Sequence, residues 1–254
     1  MDVVLLGSGN VATHLGLALA KGGHRIVQVY SRTLGNASLL ANQFQAVAID
    51  DITQLVAQAD VFILAVNDDA IESVVGKLPL DIDGLVVHTS GTTAIDVLSP
   101  LGRYGVFYPL QTFSKSKEVD FRAIPIALES HHEDDMAVLE SLAHSISDVV
   151  FHCDSAQRLT LHIAAVFACN FTNHLFAVAA DLLQHNGLSF DLIKPLVMET
   201  AEKILTLDPA EAQTGPAVRD DRKTMEKHLS ILREHPNWQH LYQLLSADIQ
   251  RNKY

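Results

Sequence analysis

Seven stretches of the chain carry side chains that could do chemistry. The first is Gly7-Ser8-Gly9-Asn10-Val11-Ala12, which follows the apolar run Val3-Val4-Leu5-Leu6. Strand, glycine turn and helix start, in that order, make an anion cradle: Gly7 permits the tight turn and Gly9 lets backbone approach a pyrophosphate. Ala12 allows close packing of helix on strand. The free N–H groups of the helix N-terminus then face the anion. Gly-x-Gly-x-x-Ala by itself is weak, because glycine turns are common between strand and helix. At the start of alternating strands and helices it points to a nucleotide. The second stretch, Ser31-Arg32-Thr33, stands after Tyr30, where an NAD-binding domain usually places an acidic residue for the ribose 2′-hydroxyl. A guanidinium fork and two hydroxyls suit a 2′-phosphate instead, so the expected cofactor is NADP(H). The alternative is an ordinary solvent-facing arginine before a helix.

Ligands in an open α/β sheet sit beyond the carboxyl ends of the strands. Val66-Asn67-Asp68 is the expected path of the nicotinamide ribose, and His88-Thr89-Ser90-Gly91 places hydrogen-bonding groups beside the nicotinamide. Tyr108-Pro109-Leu110-Gln111-Thr112 ends a further strand. Ser90 and Gln111 are the catalytic candidates there, with Thr112 as a substrate contact, although Asp, Ser, Thr and Gly are also plain turn residues. Further on, His162, Cys169, Asn170 and Asn173 fall within roughly a 100° arc of one long helix at about 100° per residue. Set among Ala164, Phe167, Phe171 and Leu175, this polar stripe needs partners, in a cleft or on another subunit. His162 could exchange protons, Asn173 could hold the substrate oxygen, and Asn170 could contact substrate. A hydrogen-bonded structural histidine is the bland alternative. Thr214-Gly215-Pro216 reads as a helix start whose N–H groups, with Arg219 one turn on, could hold a substrate carboxylate. A plain cap, with Arg219 salt-bridged to Asp220 or Asp221, is the other reading.

Short runs rich in β-branched residues must carry these loops. Strands are expected at Val3–Leu6, Ile26–Tyr30, Val61–Val66, Leu85–His88, Gly105–Tyr108 and Ile124–Leu128, with a weaker one at 46–49 and a last one at 149–152. Helices begin near Asn10, Leu34, Asp69 and Glu133. The alternation predicts parallel strands joined by crossovers. From Ser155 the apolar spacing becomes three and four, predicting helices over 156–185, 192–207, 216–234 and 238–252. The fold expected is α/β: a Rossmann-like doubly wound sheet over 1–154, then an all-α domain over 155–254.

Composition narrows the partners. The chain has 254 residues, 48% apolar and 19% charged, with a formal net charge of −12, which opposes nucleic acid and anionic membrane. Only Cys153 and Cys169 occur, without a paired motif, which favours the reducing cytoplasm. Neither a signal peptide nor an apolar stretch of roughly 18 residues is expected. Thirteen histidines include no tight ligand set, and His131-His132 lies in a charged stretch, so no metal is expected.

The N-terminal half resembles the 6-phosphogluconate-dehydrogenase-like superfamily, with its pyrroline-5-carboxylate reductases and β-hydroxyacid dehydrogenases. The whole chain more closely resembles the NADP oxidoreductases that join a Rossmann-like domain to DUF2520. Asn67-Asp68-Asp69-Ala70-Ile71, Tyr108-Pro109-Leu110-Gln111-Thr112-Phe113 and Ala212-Gln213-Thr214-Gly215-Pro216-Ala217-Val218-Arg219 carry that likeness. It implies the fold, an NADP-type cofactor and a homodimer formed through the helical domain, and it names no substrate. Hydroxyacid dehydrogenases of the superfamily use a helix lysine for proton transfer; here no lysine stands between Lys117 and Lys194. The expected activity is hydride transfer to or from a small, carboxylate-bearing carbonyl, imine or hydroxy compound. A non-catalytic NADP-binding sensor or assembly subunit is the alternative.

Overall fold

The computed structural model describes residues 1–79, 82–114 and 117–252. Its first part alternates β1 (Asp2–Leu6), α1 (Asn10–Lys21), β2 (Arg25–Tyr30), α2 (Leu34–Ala41), β3 (Val47–Ile49), β4 (Val61–Leu64), α3 (Asp68–Val75) and β5 (Leu85–His88). It continues with β6 (Tyr104–Pro109), β7 (Ile126–Ser130), α4 (Glu133–His144) and β8 (Val150–His152). The strands lie in one sheet in the order β3-β2-β1-β4-β5-β6-β7-β8. The order reverses between β1 and β4, which opens a crevice beyond their carboxyl ends. Val3 to Leu6 are wholly buried because helices cover both faces of the sheet, so β1 reads as a continuous apolar run. One face packs Leu5, Ile63 and Val87 against Leu15 and Leu19 of α1. The other packs Leu6, Leu64 and Val86 against Ile71 of α3 and Leu98.

The expectation of parallel strands holds through β6 and then fails. β7 pairs antiparallel with β6, and β8 lies parallel to β7. Between β6 and β7 the described residues contain a single 3₁₀ turn, Phe121–Ala123. Antiparallel neighbours need no crossover helix between them.

Two compact units are formed, residues 1–169 and residues from 170 on. A continuous helical run crosses from one to the other: α5 (Ser155–Ala165), a π turn over Val166–Phe171, and α6 (Thr172–His185). Asp154 and Gln157 form a capping box at its start. The π turn breaks the regular step of about 100° on which the arc of His162, Cys169, Asn170 and Asn173 rests. By length and composition alone the run Ser155–His185 could cross a membrane, contrary to the expectation that no stretch is apolar enough.

The second unit adds α7 (Lys194–Lys203), α8 (Arg222–Ile231) and α9 (Pro236–Arg251). α7 and α9 both carry proline in their first turn, where its missing N–H is harmless. The helix expected from Pro216 starts six residues later. Gly215 and Asp220 have φ values of +114° and +52°, which no helix accommodates, and the main-chain N–H of Asp221 bonds to Pro216 O at 2.9 Å. Asp221 then caps α8, accepting from Thr224 N at 3.2 Å. Thr214 and Gly215 therefore cap no helix, and Arg219 lies exposed in a turn.

Candidate active site

The glycine loop is built as its residue types require. Gly7 has φ +130°, and a Cβ there would stand 2.2 Å from Ala65 O, so only glycine lets the end of β1 abut the end of β4. A Cβ on Gly9 would meet nothing within 4 Å, leaving the approach to α1 open. The first bond inside α1 runs from Thr13 N to Gly9 O. The N–H groups of Asn10, Val11 and Ala12 thus have no acceptor within the helix. Ala12 is wholly buried against the sheet.

A cavity of about 450 Å³ brings three loops together. Its walls are Gly7, Ser8 and Gly9 after β1, Ser31, Arg32 and Thr33 after β2, and Val66, Asn67 and Asp69 after β4. The Ser8 and Ser31 hydroxyls bond to each other at 2.9 Å, tying the first loop to the second. Arg32 is exposed on the wall, and the ion pairs formed among the described residues leave it out. Three expected cofactor contacts are absent from this lining. Asn10 turns its amide to Phe113 O at 2.9 Å, Val11 packs against the core, and Asp68 accepts the Thr92 hydroxyl at 2.6 Å. A second cavity, about 590 Å³, runs along α1 by His14, Lys21 and Arg122 and holds none of the expected site residues.

The Asp68–Thr92 bond leads to the loop after β5. Ser90 is buried, and its hydroxyl accepts from Thr92 N and Thr93 N at 3.1 and 3.0 Å while donating to Thr93 Oγ1 at 2.9 Å. The hydroxyl of this catalytic candidate is thus turned into its own loop. Below it His88 is wholly buried, and its Nδ1 accepts from Ser90 N at 3.2 Å. Burial first, and the Arg158 charge second, push the His88 imidazole down to about 4, so it is a neutral prop for the loop at neutral pH.

His162 of α5 is half-buried, and its Nδ1 lies 3.1 Å from the Tyr108 hydroxyl at the end of β6. The two rings meet edge to face. Burial, followed by the charge of Asp68, pushes the Tyr108 phenol above its ordinary range, so it stays protonated. Gly91 closes over the pair: a Cβ there would fall 2.6 Å from His162 Nδ1 and 2.9 Å from the Tyr108 hydroxyl. Gln111 and Thr112 follow β6 as an exposed bend in which Gln111 Oε1 accepts from Thr112 N at 2.8 Å. Asn170 and Asn173 are exposed residues of the helical unit.

Sequence reasoning chose Gln111 and Thr112 in the segment where Tyr108 makes the contact. Strand parity carried the missing signal. Val106 and Tyr108 point to the same face of β6, so the last side chain on that face had to emerge at the carboxyl edge of the sheet. Arg158, which is buried, and Glu129, which is part-buried, form an ion pair beneath this site and were also missed.

Residues 1–112 match the model of a Rossmann-like domain, and residues 124–249 match the domain of unknown function DUF2520. A Bacteroides fragilis protein described as a "putative NADP oxidoreductase" is 43% identical, with a TM-score of 0.91 over 99% of this chain and 98% of its own. An Aspergillus terreus reductive aminase, in complex with NADPH and ethyl levulinate, shares the fold at 17% identity, with a TM-score of 0.72 over 99% of this chain and 94% of its own. The glycerol-3-phosphate dehydrogenase of Legionella pneumophila is 25% identical over 209 residues, which are 74% of this chain. The chain spans 60% of the length of that curated relative. With both models met in order along one chain, and a structural relative matched nearly end to end, this chain belongs to the family that joins a Rossmann-like domain to DUF2520.

Proposed function

We propose that this chain is an NADP(H)-dependent oxidoreductase that moves hydride between the nicotinamide and a small carbonyl, imine or hydroxy compound. The observation that carries this reading is the Tyr108–His162 hydrogen bond at the carboxyl edge of the sheet. The Thr92–Asp68 bond links the loop beside that pair to the strand-end segment lining the cavity of the glycine loop.

The residues present suit the cofactor. Open space at Gly9 and the uncommitted first-turn N–H groups of α1 receive a pyrophosphate, and exposed Arg32 with Ser31 and Thr33 receives a 2′-phosphate. Val66 and Asn67 line the ribose side. The names of the relatives support the same reading: one is described as a "putative NADP oxidoreductase", another is in complex with NADPH. Bound NADPH supplies the hydride. The chain supplies orientation, exclusion of water and a proton. Tyr108 holds that proton on its hydroxyl, and His162 returns it, taking the place of the lysine that this helix lacks. Gln111, Thr112, Asn170 and Asn173 are exposed polar groups available to a substrate. Because α8 starts at Arg222 and not at Pro216, the first-turn N–H groups expected to hold a substrate carboxylate are not at that position.

We assign residues 1–154 to cofactor binding and 155–254 to substrate contact and pairing of two copies. From residue 170 on, only Ala217 and Leu232 are buried apolar residues among those described, while Leu192, Leu196, Met198, Leu205 and Ile231 are exposed. So much uncovered apolar surface calls for a partner, and a second copy of the chain is the one we infer. We infer a cytoplasmic location, a reading that the two unpaired cysteines support. Anaerobic stopped-flow with NADPH and a panel of oxo acids, ketones with amines, and cyclic imines tests the reading. NADPH oxidation by at least one compound, lost in His162→Gln, is expected. Tight NADPH binding without oxidation across the panel points to the non-catalytic sensor instead.

A further inference from the structure

Arg158 is 1% exposed, yet it has no part in the proton chemistry assigned to the site. One guanidinium nitrogen, Nη1, pairs with Glu129 on β7. The other, Nη2, donates to Thr93 O at 2.6 Å and to the Ser155 hydroxyl at 3.1 Å. Ser155 Oγ also accepts from Ile95 N at 3.0 Å. The first turn of α5 therefore grips the backbone at Thr93 and Ile95, just beyond Gly91, and the same turn is fastened to the sheet through Glu129.

The spacing gives this grip a purpose. Glu129 lies directly across from Val106 on β6. From Val106 to Tyr108 is two strand residues, about 6.6 Å at roughly 3.3 Å each. From Arg158 to His162 is four helix residues, about 6 Å at roughly 1.5 Å each, on one face of α5. The ion pair and the Tyr108–His162 bond are thus successive rungs between helix and sheet, and the lower rung sets the height of the upper. We infer that Arg158, paired with Glu129, is a positioning residue that holds His162 and the Gly91 loop in register with Tyr108. A buried ion pair is weak evidence for stability, because desolvation offsets most of its attraction. The fork of donors that reaches a carboxylate and a carbonyl at once is evidence for placement.

The inference rests on His162 and Tyr108 being the working pair, but its test needs neither cofactor nor substrate. Long-range ¹H–¹⁵N spectra of the ¹⁵N-labelled full chain, taken at about pH 8, read the tautomers of neutral histidines. His162→Gln identifies the His162 signals, and Tyr108→Phe shows how they move when the bond is lost. The double variant Arg158→Met/Glu129→Leu removes both charges together and so avoids stranding either one. Its His162 signals are expected to shift toward those of Tyr108→Phe, while His185, bonded to Asp181 O, and His228, bonded to the Tyr242 hydroxyl, keep theirs. Should the double variant not fold, Glu129→Gln keeps the shape and removes the charge, and a shift in the same direction is expected. Unchanged His162 signals in a folded variant of either kind overturn the inference. Failure of the oxidoreductase reading would leave these spectra unaltered.

Discussion

Tyr108 and His162 stand 54 residues apart in sequence and 3.1 Å apart in space, one closing β6 and the other on α5. If this bond delivers the proton, removing either side should slow the chemical step and spare cofactor binding. Tyr108→Phe and His162→Gln are each expected to lower single-turnover NADPH oxidation by about 10²- to 10⁴-fold, with NADPH affinity unchanged. The double variant should be little worse than the single ones, because the two groups act as a unit.

Arg32→Asp should raise the Kd for NADPH by about ten- to a hundredfold, the worth of one or two charge-assisted bonds at an exposed site. NADH affinity should fall far less. Isothermal titration with both nucleotides separates the outcomes, and equal losses would remove Arg32 from the 2′-phosphate site.

The two loop glycines should fail differently. Gly7→Ala forces a Cβ to 2.2 Å from Ala65 O at φ +130° and is expected to cost about 2 kcal/mol or more in urea unfolding. Gly9→Ala meets no atom within 4 Å, so stability should hold while NADPH affinity drops.

His88 gives the fold a pH dependence of definite sign. Its folded value of about 4 lies below the ordinary histidine value of about 6.5, so the unfolded chain binds the extra proton. Stability is complete above about pH 6.5 and declines by about 3 kcal/mol as pH falls toward 4. His88→Gln should flatten urea-unfolding free energies across that window, at fixed protein concentration.

Much of the sheet was legible because both-face burial turns Val3–Leu6, β4 and Leu85–Val87 into unbroken apolar runs, and because Gly7 is constrained by direct sterics. The antiparallel β7 was not, since strand composition carries no direction and the loop before it offers no pattern. Pro216 looked like a helix start because it has the right type, but positive φ at Gly215 and Asp220 delays the helix to Arg222, a choice invisible in residue types. The π turn at Val166–Phe171 likewise leaves no mark in apolar spacing. Tyr108 was passed over because its partner comes from a distant helix, and local reading favours the polar Gln111 and Thr112 beside it.

The most direct measurement of the central claim is anaerobic single-turnover mixing of the full chain with NADPH and the compound panel, for the native protein and for Tyr108→Phe. NADPH is expected to bind tightly to both and to be oxidised by at least one carbonyl or imine compound, with Tyr108→Phe slower by about 10²-fold or more. Failure of the native protein to bind NADPH, or equal oxidation rates in the two proteins, would contradict it.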